Sequence, residues 1–159
     1  MTTTATFQLH TLSPSVLERA RSLGLDASGM PVNRLVAEGG EPLRCCLRDA
    51  RPGEHCLLFS FEPPLPAGTP YRELGAVFAH AEDCPGPEFL DRYPIGWYGR
   101  PQVLRAYDAR GWIHPSTTVH DGSDPEAVIA GIFLHPEVVE IHSRNIAYGC
   151  YMFAITRCP

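Results

Sequence analysis

The sequence predicts a single α+β domain built on a mostly antiparallel β-sheet, with one helix near each end of the chain. Stretches with strand-like alternation recur along most of the chain, whereas apolar residues with helical spacing and capping signals occur in only two segments. The length of 159 residues suits one domain, and we find no internal repeat, so residues 1–159 are predicted to fold as one unit.

Capping residues mark the two predicted helices. Ser13 and Pro14 suit the N-cap and the first position of a helix, and Gly24 suits its end. The Ser-Asp-Pro sequence at 123–125 is an equivalent start for the second helix, and the His-Pro pair at 135–136 stops it.

Six stretches have the pattern of strands, namely residues 7–10, 44–47, 56–61, 75–80, 103–107 and 112–113. Residues 56–61 are apolar on both faces and are therefore predicted to be central in the sheet. Gly111 suits the tight hairpin turn before residue 112, where a positive φ is needed. Residues 82–101 are irregular and rich in aromatic residues, Pro and Gly, with at most one helical turn near Phe89 and Leu90. We expect this long loop to be a functional cover or an interface.

The last stretch, residues 138–156, is predicted to be a β-hairpin with a short turn at 146–148. With Asn145 opposite Gly149, Arg144 faces Cys150, His142 faces Met152 and Ile141 faces Phe153. One face then carries the apolar set Val139, Ile141, Tyr151, Phe153 and Ile155, and the other carries the polar set Glu140, His142, Arg144 and Cys150. We therefore predict a buried face and, opposite it, a compact polar group.

Composition and charge exclude several classes of function. The net charge of −5 offers no field that attracts phosphate backbones or anionic lipid, so neither nucleic acid nor a membrane is an expected partner. Residues 1–5 lack a signal-peptide pattern, and no apolar run approaches the roughly 20 residues that span a bilayer, so we expect a cytoplasmic protein. The six cysteines include no C-x-x-C pair and are expected to be reduced, and most of them to be small buried apolar residues.

Four motifs in order along the chain carry a resemblance to a known family. They are R-C-C-L-R-D-A-R-P-G-E at 44–54, T-P-Y-R-E-L-G-A-V-F-A-H at 69–80, L-R-A-Y-D-A at 104–109 and I-H-S-R-N-I-A-Y-G-C-Y at 141–151. With these motifs the chain resembles the bacterial domain-of-unknown-function 1203 family, although Leu43 stands where the family pattern P-C-R-x-C-L has its first cysteine. The resemblance implies a small bacterial cytosolic protein and no particular activity.

The polar residues inside these motifs are the candidates for binding and chemistry. Several guanidinium groups on one sheet face would fit a carboxylate or phosphate, because the planar guanidinium group binds such anions bidentately. We therefore predict binding of a small anionic metabolite, with His80 and His142 exchanging protons and residues 93–100 as a cover. The predicted ligand-binding residues are Arg44, Tyr71, Arg72, Arg105, Tyr107, Arg144 and Asn145. The alternative is a solvated face with surface ion pairs.

Cys150 is the predicted nucleophile if the site is catalytic. Positive charge on Arg144 and His142 would favour its thiolate, with Asn145 as an orienting group. Cys46 is the predicted partner thiol in a redox-sensing alternative, because strand alternation would put it on the same side as Arg44. Phosphate-cradling glycine loops and the serine hydrolase elbow are absent from the sequence, so a nucleotide cofactor has no support and the cofactor stays unknown.

Two other functions remain open. A metal site would have to be assembled from separate segments, because no local pair such as H-x-x-x-H or C-x-x-C fixes two ligands, and the sequence assigns none. The available ligands are His80, His114, His120, His142 and Cys150. A non-catalytic homodimeric interaction module would instead use three aromatic anchors, Trp97, Tyr98 and Trp112.

Overall fold

Ten strands form two five-stranded sheets in the computed structural model, which describes residues 6–159. In chain order they are β1 (Phe7–His10), β2 (Asn33–Val36), β3 (Pro42–Leu43), β4 (Arg48–Asp49), β5 (His55–Phe61), β6 (Gly75–His80), β7 (Gln102–Asp108), β8 (Thr118–His120), β9 (Val138–Arg144) and β10 (Tyr151–Arg157). The first sheet has the order β1-β10-β9-β7-β8, and the second has the order β2-β5-β6-β3-β4.

The predicted α+β class and antiparallel pairing are confirmed, but the strands divide between two sheets. All neighbouring strands are antiparallel except β3 and β6, which are parallel. The strands from the first half of the chain, β2 to β6, pair with one another, while β1 joins β10 at the far end of the sequence. The apolar strand β5 lies inside its sheet, as predicted.

The two predicted helices are present with the predicted caps. Helix α1 (Pro14–Glu18) continues into a π-helical turn (Arg19–Leu23), and its N-cap hydroxyl on Ser13 accepts a hydrogen bond from the Val16 N–H at 3.3 Å. Helix α2 (Pro125–Ile132) has Asp124 as its N-cap. Gly24 ends the first helix with a φ of 66°, a left-handed conformation that glycine adopts without steric cost.

Two hydrophobic clusters lie on opposite faces of the first sheet. The first cluster contains side chains of β5, β6 and α1 and reaches Tyr151 and Ala154 of β10. The second contains Ile141, Phe153 and Ile155 together with buried residues of α2. Strands β9 and β10 are therefore buried on both faces, and neither face is a solvated polar surface.

The predicted register of the final hairpin is wrong. The connection is one residue longer than predicted, so Arg144 pairs with Tyr151 instead of Cys150. A bulge between Tyr151 and Phe153 inserts a second extra residue, so Ile141 pairs with Ile155 instead of Phe153. Because a bulge reverses the alternation, Tyr151 turns to the face opposite Phe153. Val139, predicted to be in the core, is 43 % exposed.

Residues 44–47 form a turn, although the sequence predicted a strand there. The Leu47 N–H donates to the Leu43 carbonyl at 2.9 Å, which closes the turn between β3 and β4. Leu47 itself has a φ of 56°, and its side chain is buried in the second cluster. Strand alternation therefore does not apply to this segment.

The long loop at 82–101 is irregular, as predicted, and its helical turn is a 3₁₀ turn (Ile95–Trp97) instead of a turn at Phe89 and Leu90. Trp97 is fully buried, and its indole N–H donates to Asp49 Oδ1 at 2.9 Å. The prediction that Trp97 anchors an interface is therefore wrong, because the apolar ring packs against Phe153 in the core.

No helix within residues 6–159 combines the length and the apolar character needed to cross a bilayer. Residues 1–5, in which we predicted no signal-peptide pattern, lie outside the described part of the chain.

Candidate metal centre

Three thiols and one imidazole meet beside the end of β6. Cys45 and Cys46 lie in the turn after β3, His80 is the last residue of β6, and Cys84 lies in the loop that follows. One ligand atom from each of these four residues lies within 4.8 Å of all the others. Cys45 and Cys46 are buried and Cys84 is half-buried. We call these four residues the thiol–imidazole cluster.

Backbone hydrogen bonds bring the two adjacent cysteines to the same ring. The Arg44 N–H donates to the Phe78 carbonyl at 2.9 Å, which joins the turn to β6. The His80 N–H donates to Cys45 Sγ at 3.2 Å. Because the segment is a turn, the side chains of Cys45 and Cys46 do not point in opposite directions, and both sulfurs approach the imidazole of His80.

The distances among three of the four ligand atoms match the edges of a tetrahedral zinc site, and the fourth, Cys84 Sγ, lies within 4.8 Å of the others. His80 Nδ1 lies 3.6 Å from Cys45 Sγ and 3.7 Å from Cys46 Sγ, and the two sulfurs are 3.9 Å apart. Zinc binds sulfur at about 2.3 Å and nitrogen at about 2.0–2.1 Å, so tetrahedral geometry requires about 3.6 Å from nitrogen to sulfur and about 3.8 Å from sulfur to sulfur. A zinc ion therefore fits between these atoms without rearrangement of the turn.

A carboxylate orients the imidazole for this role. His80 Nε2 lies 2.7 Å from Glu54 Oε2, and Arg48 binds both oxygens of Glu54 at 2.9 and 2.8 Å. With the Nε2 proton donated to Glu54, Nδ1 presents its lone pair to the two thiols. Histidine ligands of metal ions commonly donate their other ring nitrogen to a carboxylate in this way.

The same contacts shift the protonation of the groups involved. Hydrogen bonds from Arg48 hold the pKa of the Glu54 carboxyl well below its usual range, so this carboxyl is ionised near neutral pH. Hydrogen bonding between the adjacent thiols lowers the pKa of Cys45 and raises that of Cys46. Burial raises the pKa of Cys84. A single thiolate next to protonated thiols is thus favoured at Cys45.

A cavity of about 360 Å³ adjoins the cluster and gives access to it. Cys46 and Cys84 line this cavity, and so do three carboxylates, Glu54, Glu82 and Asp83. Because these three carboxylates outnumber the single guanidinium of Arg48 in the lining, the cavity favours a cation over an anion. The cavity therefore provides an entry path for a metal ion, which a metal site requires.

The predicted polar face contains a buried histidine. The His142 side chain is fully buried between the rings of Tyr107 and Tyr151, with centroid distances of 4.7 and 5.2 Å. Its Nε2 lies 3.2 Å from Glu140 Oε1, and its Nδ1 has no hydrogen-bond partner among residues 6–159. His80 and His142 thus have different contacts and different carboxylate partners.

The predicted arginines have separate partners within the protein. Arg144 contacts the Glu73 carboxylate through Nη1, and Arg105 Nη1 lies 3.9 Å from the same carboxylate. Arg44 is buried and donates to the carbonyls of Tyr151, at 2.8 Å, and Pro42. Burial lowers the pKa of Arg44 to about 10, and this side chain has no carboxylate within ion-pair distance in the described part of the chain.

The remaining predicted residues lie in other surroundings. Arg72 pairs with Glu62 at 2.8 Å, and Tyr71 packs edge-on against Trp112. Asn145 lines a different cavity of about 390 Å³. The half-buried Cys150 thiol donates to the Tyr148 carbonyl at 3.7 Å. Cys46 belongs to the thiol–imidazole cluster and lies in a turn, so the strand alternation from which we predicted its alignment with Arg44 does not apply.

A second group of possible ligands is explained by ion pairing. His114 Nε2 lies 2.9 Å from Glu137 Oε1, and His135 Nδ1 lies 3.9 Å from the same oxygen. His114 Nδ1 accepts a hydrogen bond from the Ser116 N–H at 3.1 Å, which keeps the proton on Nε2 and directs it to Glu137. This tautomer satisfies the carboxylate without a metal.

The cysteines of the thiol–imidazole cluster were missed as ligands, because free cysteines are usually buried apolar residues. Cys45 and Cys46 are indeed buried, so burial alone did not distinguish the two roles. The available signal was the spacing of His80 and Cys84, four residues apart, together with the adjacent pair at 45–46. Only the pairing of β3 with β6 brings these two local pairs together.

The fold and the cluster define an α+β protein of two mainly antiparallel sheets with a partly buried three-cysteine, one-histidine cluster. Residues 40–157 match the family model described as "Protein of unknown function (DUF1203)", and the chain belongs to this family. The resemblance seen in the sequence is thereby confirmed, and all four residues of the cluster lie within the matched part. Neither the curated proteins nor the solved structures gave a significant match.

Proposed function

We propose that this protein binds one zinc ion through Cys45, Cys46, Cys84 and His80. The observation that carries the proposal is the agreement of the distances among Cys45, Cys46 and His80 with the edges of a tetrahedral zinc site, with Cys84 within 4.8 Å as the fourth ligand. The ligand types support zinc over magnesium or calcium, because thiolate and imidazole are soft or borderline ligands.

The proposed role of the ion is to hold the structure together rather than to catalyse a reaction. Four protein ligands complete a tetrahedral shell and leave no position for a substrate, as in structural zinc sites. The ligands come from the turn at 44–47, from β6 and from the loop after it, so the ion links three segments. We place this function in a reducing compartment, the cytoplasm predicted from the sequence, because all six cysteines are unpaired.

Elemental analysis of untagged protein tests the proposal directly. We expect one zinc ion per chain in the wild type and a loss of most of it in Cys45→Ser and Cys84→Ser. Two variants provide matched controls: Cys56→Ser replaces a buried thiol, and Cys158→Ser replaces a half-buried one, both outside the cluster. Cobalt substitution should add a thiolate-to-cobalt absorption band. A wild-type protein that neither retains nor takes up zinc or cobalt would contradict the proposal.

Anion binding on the predicted polar face is a second candidate function. It is supported by two arginines that already bind one carboxylate, Glu73, and by the buried Arg44 guanidinium, which has no ion pair among residues 6–159. Glu73→Gln should release both arginines and increase the affinity for inorganic phosphate, measured by calorimetry. Glu62→Gln, which removes the partner of Arg72 instead, is the control. Equal phosphate binding in both variants would contradict this candidate.

The homodimeric interaction module is favoured less by the structure than either binding function. Of its three predicted anchors, Tyr98 and Trp112 are 40 % and 43 % exposed, whereas Trp97 is buried. Sedimentation analysis of the untagged chain measures its oligomeric state.

A further inference from the structure

The thiol–imidazole cluster is also accessible to an oxidant. Cys84 is half-buried and lines the adjoining cavity together with Cys46, whereas Cys45 is buried and does not line it. Redox-sensitive cysteines combine an accessible sulfur with a second sulfur close enough to trap it. Cys84 and Cys45 meet both conditions, because their sulfurs belong to a group of atoms that lie within 4.8 Å of one another.

A positive charge lies beside the accessible sulfur. Arg21 Nη2 is 3.9 Å from Cys84 Sγ, and Arg21 Nε donates to the His80 carbonyl at 3.1 Å. The guanidinium is therefore held between β6 and the loop that carries Cys84. In that position it can stabilise the hydroxide that leaves when a thiolate attacks a hydroperoxide.

We propose that hydroperoxides convert Cys84 and Cys45 into an intramolecular disulfide and thereby release the metal ion, an inference that rests on the proposed zinc site. In the zinc-loaded protein Cys84 would be a thiolate, because a coordinating thiol is deprotonated by the metal ion, and this thiolate attacks the terminal oxygen of the hydroperoxide. The O–O bond breaks, Cys84 becomes a sulfenic acid, and the departing hydroxide takes up a proton to become water. Cys45 then attacks the sulfenic sulfur, and a second water leaves after protonation. In total, two thiolates, one hydrogen peroxide and two protons give one disulfide and two waters, so the two sulfurs are oxidised by two electrons and the peroxide is reduced by two.

The geometry favours this pair over a bond between the adjacent cysteines. A Cys45–Cys46 bond would close a small ring within the turn and strain the disulfide dihedral. Cys84 instead lies in a loop without regular structure, and Gly86 in the same loop packs near the Cys45 carbonyl with a φ of 79°. A sulfur–sulfur bond of about 2.0 Å therefore requires a movement of less than about 3 Å, which an irregular loop can make.

Loss of two ligands would remove most of the affinity for zinc. Cys46 and His80 would remain, and two protein ligands do not complete a tetrahedral shell. Glu82 and Asp83 line the cavity through which the ion would leave. The cluster would thus respond to hydroperoxides by exchanging a metal cross-link among three segments for a disulfide cross-link between two of them, the turn at 44–47 and the loop after β6.

The test is a titration of zinc-loaded wild-type protein with hydrogen peroxide. We expect release of one zinc ion per chain, measured with a chromogenic chelator, and loss of two of the six thiols. Peptide mapping should find a Cys45–Cys84 link, and dithiothreitol should restore both thiols and zinc binding. Cys158→Ser, which removes a half-buried thiol outside the cluster, should behave like the wild type. Cys84→Ser should form no such link.

A parallel titration of metal-free wild-type protein separates the two proposals. If the chain forms the Cys45–Cys84 link but never binds zinc, the oxidation is supported and the zinc site is wrong. If zinc binds but peroxide yields no link, the oxidation proposal is overturned and the zinc site stands. The same conclusion follows if peroxide links other cysteines, or if it gives over-oxidised products that dithiothreitol does not reverse.

Discussion

The imidazole of His80 has different partners at its two nitrogens. Nε2 is bound to Glu54, which is itself held by both terminal nitrogens of Arg48, while Nδ1 faces two sulfurs. This chain of contacts fixes both the tautomer and the ring orientation before a metal binds. Glu54 therefore contributes to metal affinity without touching the ion.

Glu54→Gln should lower the zinc affinity by about 10–100-fold, because the amide cannot fix the Nε2 proton as a carboxylate does. Competition with a chelator of known affinity measures the change. The control is Glu137→Gln, which alters a comparable histidine–carboxylate contact at His114, outside the cluster. An unchanged affinity in Glu54→Gln would show that Glu54 does not position His80.

Glu54 should also make the metal-free protein sensitive to acid. Its pKa in the folded state is lowered from the usual 4.5 by hydrogen bonds from Arg48, so its contribution to stability is present above pH 4.5 and is lost as the pH falls below that value. The urea midpoint of metal-free wild type should therefore fall more steeply below about pH 4.5 than that of Glu54→Gln. Parallel curves for the two proteins would contradict this assignment.

At the scale of elements, the turn at 44–47 has the strongest influence on the cluster. It separates two strands of two residues each, and it contributes to both hydrophobic clusters, with Cys45 and Cys46 in the first and Leu47 in the second. The left-handed conformation of Leu47 is strained for a residue with a Cβ atom. Burial of the leucine side chain compensates for that strain.

Leu47→Gly tests which of these two effects is larger. Glycine would relieve about 1 kcal/mol of backbone strain. Loss of a buried leucine side chain costs about 2–5 kcal/mol. We therefore expect a net destabilisation of about 1–4 kcal/mol in urea unfolding. Leu134→Gly, at a leucine that is 83 % exposed, measures the effect of glycine without loss of burial. A stabilised Leu47→Gly protein would show that strain is the larger effect.

At the scale of the whole molecule, the same turn links the two sheets. Arg44 is joined to β6 through its backbone N–H and to β10 through its side chain, which donates to the Tyr151 carbonyl. The proposed zinc ion adds a cross-link at this junction. Removal of the ion should therefore destabilise this junction more than the face of the first sheet that packs against helix α2.

Chelation of the metal should lower the melting temperature of the whole protein. A ligand present at 100 times its dissociation constant stabilises the folded state by about 2.7 kcal/mol. Hydrogen exchange should become faster at residues 44–47 and 80–86, whereas helix α2 provides an internal reference. Equal melting temperatures with and without chelator, for protein shown to contain zinc, would contradict a stabilising role.

Local patterns in the sequence predicted much of the fold. Both helix starts were recognised from a polar N-cap followed by proline, since these signals act within one turn of the chain. The central strand β5 was recognised from its apolar run. The bulge at Met152 and the turn at 44–47 were missed, because both depend on which strand lies alongside and neither leaves a pattern within its own few residues.

The sequence by itself determined the α+β class, the capped helices, the family and the presence of His80 among the functional candidates. It determined these because capping, alternation and motif order are local or linear properties of the chain. Only the tertiary structure decided that Cys45 and Cys46 face His80 and Cys84. That arrangement depends on the parallel pairing of β3 with β6, a contact between residues more than thirty positions apart, and a sequence contains no direct measure of such a distance.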